Sequence, residues 1–246
     1  MRIGVSADTP GLSVARDGTY QGFEADLARE IGRELGFSSG RIKFRPVTSD
    51  NRGAYLKANR VDLVLASYSI SAQREEGDGV RFAGPYLESL KGVLVRKNRP
   101  YNNLSDLQQD KTAEVCTVRN SVYVPWLKSQ GLGDQLVLRS GYEDCVKALL
   151  DPATRVYGVA TDDVIVAGLA DKYPAETKAL ASSGGSEGYG VAMNSREVGL
   201  HNEVCQALSA IMAKSPGSTS RWAVLYNRHL KPMTGRTPTE PELNSC

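Results

Sequence analysis

Histidine is nearly absent from this 246-residue sequence, which holds only His201 and His229, both in stretches that read as late helices. No nucleophile elbow, phosphate-cradling glycine loop or cysteine–histidine pairing accompanies its motifs, so no acid–base or nucleophilic constellation is present and no catalytic residue is expected. Cys116, Cys145, Cys205 and Cys246 form no CxxC and no cluster with a histidine, which argues against structural zinc; neither metal nor cofactor is expected. Thirty basic and 28 acidic residues are dispersed to a net charge of +2, without a Lys/Arg block, so the chain has no footprint for nucleic acid or an anionic membrane. Nothing approaches the ~18–20 consecutive apolar residues that cross a bilayer.

What remains is an ordinary globular composition, 41% hydrophobic and 24% charged, in a chain long enough for one large domain or two lobes. The even cysteine count allows two disulfides in three connectivities. We expect the local pairing, Cys116–Cys145 tying a strand to a helix and Cys205–Cys246 pinning the tail to a late helix; four buried free thiols in a cytosolic protein are the alternative. Oxidised cysteines place a protein outside the cytoplasm. The chain opens as a strand, Met1-Arg2-Ile3-Gly4-Val5, without a charged and then apolar leader, so the signal segment of an exported form is expected to be missing here.

Strand and helix signals alternate. Residues 2–7 read as a strand broken at Asp8-Thr9-Pro10-Gly11. Phe23, Leu27, Ile31 and Leu35 form the buried stripe of a helix that Gly36 ends. Strands are expected at 42–47 and 61–66, with a short helix over 52–59 between them. Val61 to Ala66 shows little polar alternation, as suits a parallel strand covered on both faces. After a strand at 93–95 and the polar turn 96–100 the rhythm restarts: strands at 113–118, 136–138, 157–160 and 188–193, and helices near 104, 123–128, 142–150 and 163–170. Helices at 203–214 and 221–229 and an irregular tail from Thr234 close the chain.

One stretch is distinctive: VDLVLASYSISAQREEGDGVRFAGPY at 61–86, a strand ending in Ser67, Ser69 and Ser71 with Arg74 just beyond. A strand end offering backbone groups, hydroxyls and one guanidinium suits a small carboxylate. Together with GFEADLAREIGRELG at 22–36 and VYGVATDDVIVAG at 156–168, it resembles the type II periplasmic or extracellular amino-acid-binding proteins of ABC transporters (solute-binding family 3), over Ile3 to about Leu230. The cysteine pair Cys116/Cys145 and Thr161-Asp162-Asp163 look most like the glutamate-type branch.

The resemblance implies an α/β, two-lobe, type II periplasmic-binding-protein-like fold, discontinuous and joined by two hinge strands: residues 1–95 plus 192–246 in lobe I and 96–191 in lobe II, with a ligand crevice outside the strand ends. It further implies that the Ser67 backbone and Ser69 hydroxyl hold the ammonium or carboxylate of a free amino acid, and that Arg74 pairs with the carboxylate. N–H groups of Val122 and Tyr123 would cap that carboxylate, and Asp162 would accept the ammonium. Asp8 and Arg52 would line the side-chain pocket, near Ser49 and Asp50. The sequence departs from the family's usual pattern at Asn120-Ser121-Val122, where a threonine hydroxyl is lost, and at Ser67, where glycine is usual.

By the same resemblance the partners are the permease subunits of an ABC importer. The expected protein is a monomer, extracytoplasmic as a surface lipoprotein or in a periplasm, tethered through a missing N-terminal segment. An inward Arg52 favours an acidic side chain, glutamate or aspartate, and a dominant Asp8 a neutral amide or a cationic one; the branch tips the balance to glutamate ahead of glutamine, asparagine and aspartate. Each residue also has a plainer role: a solvated Arg74, turn hydroxyls at Ser69 and Ser71, Asp8 bonding its own turn, and Asp163 capping its helix with Asp162 left for the ligand. Rival functions are a receptor or kinase sensor domain with the same site, and a dehydratase on the same fold, for which Glu187 is the nearest loop carboxylate.

Overall fold

The computed structural model describes residues 1–180 and 185–246. The first part of the chain forms β1 (Arg2–Val5), β2 (Asp8–Thr9), β3 (Ser13–Arg16), β4 (Thr19–Gln21), α1 (Phe23–Glu34), β5 (Lys43–Pro46), α2 (Arg52–Lys57), β6 (Leu63–Leu65) and α3 (Ala72–Asp78). The long strand β7 (Val80–Arg96) leads to α4 (Leu104–Gln109), β8 (Glu114–Val118), α5 (Tyr123–Ser129), β9 (Leu136–Arg139), α6 (Tyr142–Leu150), β10 (Val156–Asp162), α7 (Asp163–Lys172) and β11 (Thr177–Ala179). Then come β12 (Ser186–Asn194), α8 (Val198–Met212), α9 (Arg221–His229) and α10 (Lys231–Thr234).

Two compact units result. Unit 1 holds Met1–Ala7, Gly11–Glu88 and Glu187–Cys246; unit 2 holds Asp8–Pro10 and Ser89–Ser186. The division falls inside β7 and β12, at 88/89 and 186/187, because each is a continuous strand that leaves one unit and enters the other.

In unit 1, β1 pairs in parallel with β5 on one side (Ile3 opposite Phe44) and β6 on the other (Gly4 opposite Val64). The antiparallel strand β12 follows, with Ala192 opposite Val64. Helix α1 packs Phe23, Leu27 and Ile31, all fully buried, against this sheet and against α9, where Trp222 meets the Phe23 ring edge-on at 5.8 Å. Gly36 ends the helix as expected, with φ +80 in the left-handed region that glycine enters without a Cβ penalty. A second cluster on the sheet gathers Val47, Leu56, Val64, Tyr68 and Phe82.

Unit 2 is built on β8, parallel to both β9 and β10, while the second half of β7 runs antiparallel to β10 with Ala160 opposite Val93. Its core joins Val93, Val95, Leu107, Val115 and Leu127. At Gly92 the backbone of β7 passes so close to α7 that an added Cβ would stand 2.9 Å from Asp163 Cα. Only a residue without a side chain permits that approach.

Both expected disulfides are present. Cys116 on β8 bonds Cys145 on α6 with a Cα separation of 5.5 Å, and Cys205 on α8 bonds Cys246 at 5.6 Å. His201 supports the second, its Nε2 lying 3.0 Å from both the Phe82 and Ser245 carbonyls.

Several elements depart from the reading of the sequence. The turn at Asp17-Gly18, with φ of 48 and 74, closes an unanticipated β3–β4 hairpin. The SAQREEGD stretch is helix α3, capped by the Ser71 hydroxyl, which accepts the Arg74 N–H. Helix α8 begins at Val198 rather than near 203, and the short helix α10 leads up to the tail, ending at Thr234.

Candidate functional site

In unit 1 the site grows from the end of β6. Just past Leu65 the chain turns at Ser67, whose φ of +49 is left-handed and unfavourable for a residue with a side chain. Two buried side chains of opposite charge meet that turn. Glu24, in the first turn of α1 and fully buried, accepts at Oε1 from the Ser67 N–H (2.6 Å), the Ser67 hydroxyl (3.2 Å) and the Tyr86 hydroxyl (2.6 Å). Arg52, only 3% exposed in the first turn of α2, donates through Nη1 to the carbonyls of Ala66 (2.6 Å) and Ser67 (3.2 Å). Burial pushes the Glu24 carboxyl up, while the Tyr86 and Ser67 donors and the Arg52 charge oppose the shift. Burial and the facing carboxylate drive Tyr86 well above the usual phenol range, so it stays a donor.

The residues that follow are those to which the resemblance assigned ligand contacts. Two guanidiniums approach the Tyr68 ring, Arg52 Cζ at 3.7 Å and Arg74 Cζ at 5.1 Å from its centroid, and the Tyr68 hydroxyl donates to Asp78. Stacking of this kind holds a cation against an aromatic face. Ser69 bridges Tyr189 of β12 through bonds made by its neighbours, Ile70 N–H to Gly188 O (2.8 Å) and Gly190 N–H to Tyr68 O (2.9 Å). Ser69's own peptide groups therefore face away from β12. Its carbonyl accepts Arg74 Nη1 at 2.8 Å. Its N–H and hydroxyl have no hydrogen-bond partner among the described residues, although Ser69 is only 2% exposed. Arg74 is thus half-buried, with one guanidinium nitrogen held on the strand end.

In unit 2, the loop from β8 to α5 turns at Asn120, with φ +55. The Thr117 hydroxyl donates to Ala160 O at 2.9 Å, tying the ends of β8 and β10 together, and lies 3.3 Å from the Ser121 hydroxyl. The Tyr123 N–H donates to that Ser121 oxygen at 3.3 Å, so it is already engaged. The Val122 N–H has no partner among the described residues. The Tyr123 hydroxyl donates to Asp162 Oδ1 at 3.0 Å, orienting a carboxylate that is 4% exposed at the end of β10.

Asp163 does not cap α7, contrary to expectation. It is the first helical residue, and β7 claims its carboxylate: Oδ1 accepts the Ser89 hydroxyl (2.6 Å) and the Leu90 N–H (3.0 Å). The Ser89 oxygen in turn accepts the Val164 N–H at 3.5 Å, so a serine on the neighbouring strand serves that helix end. Asp8 groups with unit 2, its Oδ2 accepting the Glu143 N–H at the start of α6 at 3.5 Å.

The structure thus brings Arg52, Ser67, Ser69 and Arg74 together in unit 1, and Val122, Tyr123 and Asp162 together in unit 2. Arg52 reaches backbone carbonyls, and the Ser67 N–H is engaged by Glu24. Glu24 and Tyr86 were missed as partners of the motif. The available signal was an acid on the same helical face as Leu27, Ala28 and Ile31. Among the described residues no group of acidic, histidine or cysteine side chains is arranged to hold a metal ion, and no helix is long and apolar enough to cross a membrane.

This architecture is the type II periplasmic amino-acid-binding fold. The chain superposes on the L-cysteine solute receptor of Neisseria gonorrhoeae with a TM-score of 0.84 at 24% identity, covering 97% of this chain and 92% of that one. The profile of the bacterial extracellular solute-binding proteins, family 3, matches residues 1–229, and the chain belongs to that family. It is 30% identical over 186 residues to the glutamate-binding protein GluB of Corynebacterium glutamicum, covering 73% of this chain and 61% of the relative. The chain thus spans about three-fifths of that relative's length. It is 25% identical over 234 residues to the glutamine-binding protein GlnH of Bacillus subtilis, covering 93% of this chain and 80% of the other.

Proposed function

We propose that this protein is an extracytoplasmic receptor that captures a free polar amino acid, glutamate ahead of glutamine, asparagine and aspartate, and delivers it to the permease of an ABC importer without chemical change. The observation that carries this reading is Ser69: a buried residue whose N–H and hydroxyl find no hydrogen-bond partner among the described residues, beside a guanidinium already positioned on its carbonyl. An α-carboxylate satisfies the Ser69 N–H and Arg74 together, and an α-ammonium suits the Ser69 oxygen and the second lone pair of the Ser67 carbonyl. For unit 2 the reading assigns Asp162 to the ammonium and the Val122 N–H to a carboxylate oxygen. Arg52 acts through its charge and its hold on the 66–67 carbonyls. Two guanidiniums on Tyr68 favour an anionic side chain, in keeping with the glutamate-binding relative.

Thermal-shift screening of the twenty amino acids, after unfolding and refolding to strip any retained ligand, identifies the ligand. Calorimetry with Arg74→Ala then tests the grip. The variant should lose about 2–5 kcal/mol of binding, because truncation leaves the carboxylate without its cation. An affinity change below threefold refutes the assignment.

A further inference from the structure

We infer that Glu24 is a positioning residue for ligand capture, acting through Ser67: with Arg52 it clamps the Ser67 peptide in a left-handed conformation that aims the Ser67 carbonyl and the Ser69 N–H. The inference rests on the reading of 67–74 as the amino-acid grip.

The clamp has two sides of opposite sign. Glu24 Oε1 takes the N–H and hydroxyl of Ser67, and Arg52 Nη1 takes the carbonyls on both sides of the Ser67 N–H, those of Ala66 and Ser67. Between them they fix each polar group of one residue at φ +49, a conformation that persists only where the surroundings impose it. Three donors converge on Oε1, while Oε2 is buried without a hydrogen-bond partner among the described residues. Leaving a carboxylate oxygen unsatisfied is costly in a fully buried side chain. A glutamate placed so at the start of α1 serves something other than the stability of α1. Its position explains why a serine is tolerated at 67: its hydroxyl becomes a second handle for Glu24, and the carboxylate supplies the bonds that offset the left-handed backbone.

The experiment compares four variants of the whole chain. Glu24→Gln keeps an acceptor for Ser67. Glu24→Leu combined with Tyr86→Phe removes the acceptor, fills its volume and avoids orphaning the tyrosine hydroxyl. Tyr86→Phe alone perturbs the same carboxylate without touching Ser67. Ser67→Gly, added to the Leu/Phe variant, removes the Cβ that makes φ +49 unfavourable. Amide exchange of residues 66–70 is read without ligand, and affinity for the amino acid found by the screen is read by calorimetry. Glu24→Leu/Tyr86→Phe should exchange faster at 66–70 with the rest of unit 1 still protected, and bind at least about tenfold more weakly; Ser67→Gly should recover most of that loss, since coupled sites are non-additive. Glu24→Gln and Tyr86→Phe should stay within about threefold of the parent.

Unchanged exchange at 66–70 overturns the clamp. Faster exchange with unaltered affinity, in a protein that Arg74→Ala disables, overturns its role in capture. If the parent protein binds no amino acid, the amino-acid reading fails, the role of Glu24 in capture fails with it, and the exchange data alone decide whether the clamp exists.

Discussion

Removing the Cys116–Cys145 link should destabilise unit 2 selectively. The bond closes a loop of 29 residues between β8 and α6, both ends fully buried. In the chain-entropy relation such a loop restrains the unfolded chain by about 12 cal/mol/K, or about 3.6 kcal/mol at 25 °C. Exchanging both cysteines for alanine adds roughly 1 kcal/mol for the lost buried sulfur volume, which the reduced but otherwise unaltered protein does not incur. For a unit of roughly 100 residues, 3.6 kcal/mol corresponds to a fall in Tm of about 15–25 °C. The assay is hydrogen exchange at graded urea, comparing oxidised, reduced and Cys116→Ala/Cys145→Ala proteins. Segments 114–118 and 142–150 should lose protection, while 2–5 and 63–65 in unit 1 keep theirs. A loss below about 1 kcal/mol in the reduced protein refutes the entropic argument. An equal loss in unit 1 refutes the assignment of the effect to unit 2.

Gly92→Ala should destabilise unit 2 by about 1–3 kcal/mol, measured by urea unfolding, because its Cβ would meet the Asp163 backbone at 2.9 Å and Val166 Cγ2 at 3.1 Å; wild-type stability would show that β7 and α7 separate freely. Asp110 accepts from the Thr112 hydroxyl first and the Tyr101 hydroxyl next, which lowers its pKa to about 2. Because the folded value lies below the unfolded one, its stabilisation is complete above about pH 4 and disappears as the pH falls through 2. Asp110→Asn should therefore weaken the fold at pH 7 and match the parent near pH 2. Tyr101→Phe should raise the Asp110 midpoint in an NMR titration, and an unmoved midpoint would show that the phenol does not sustain the shift.

Where the sequence was legible, short-range physics dominates. The apolar stripe at Phe23, Leu27 and Ile31, with Gly36 behind it, gives α1 because period and helix stop both lie within a dozen residues. The run Val61 to Ala66 gives β6 for the same reason, and Ser69 and Arg74 follow within reach of one another. Asp163 shows the limit. An acid at a helix start reads as a cap, but its partners, Ser89 and Leu90, sit on a strand more than seventy residues away, and nothing local announces them. Glu24 was hidden in the same manner: its three donors come from Ser67 and Tyr86, brought to α1 only by the sheet. The hairpin β3–β4 was passed over because a Pro-Gly break just before it masked the Asp-Gly turn that makes it.

The division of the chain also sets an order in which its units can be completed as the chain is delivered from its N-terminal side. Apart from Asp8–Pro10, unit 2 is one continuous stretch ending at Ser186, so its contacts are complete before the segment from Glu187 onward is added. Unit 1 must wait, since β12 and the Trp222 that meets Phe23 arrive only at the end. Delivery in this order therefore presents the middle of the protein as the first body that can be finished, with the early strands waiting for the late helices. Where the chain meets an oxidising compartment from its N-terminal side, Cys145 can find Cys116 before Cys205 arrives, so the pairing seen here is also the one that order favours.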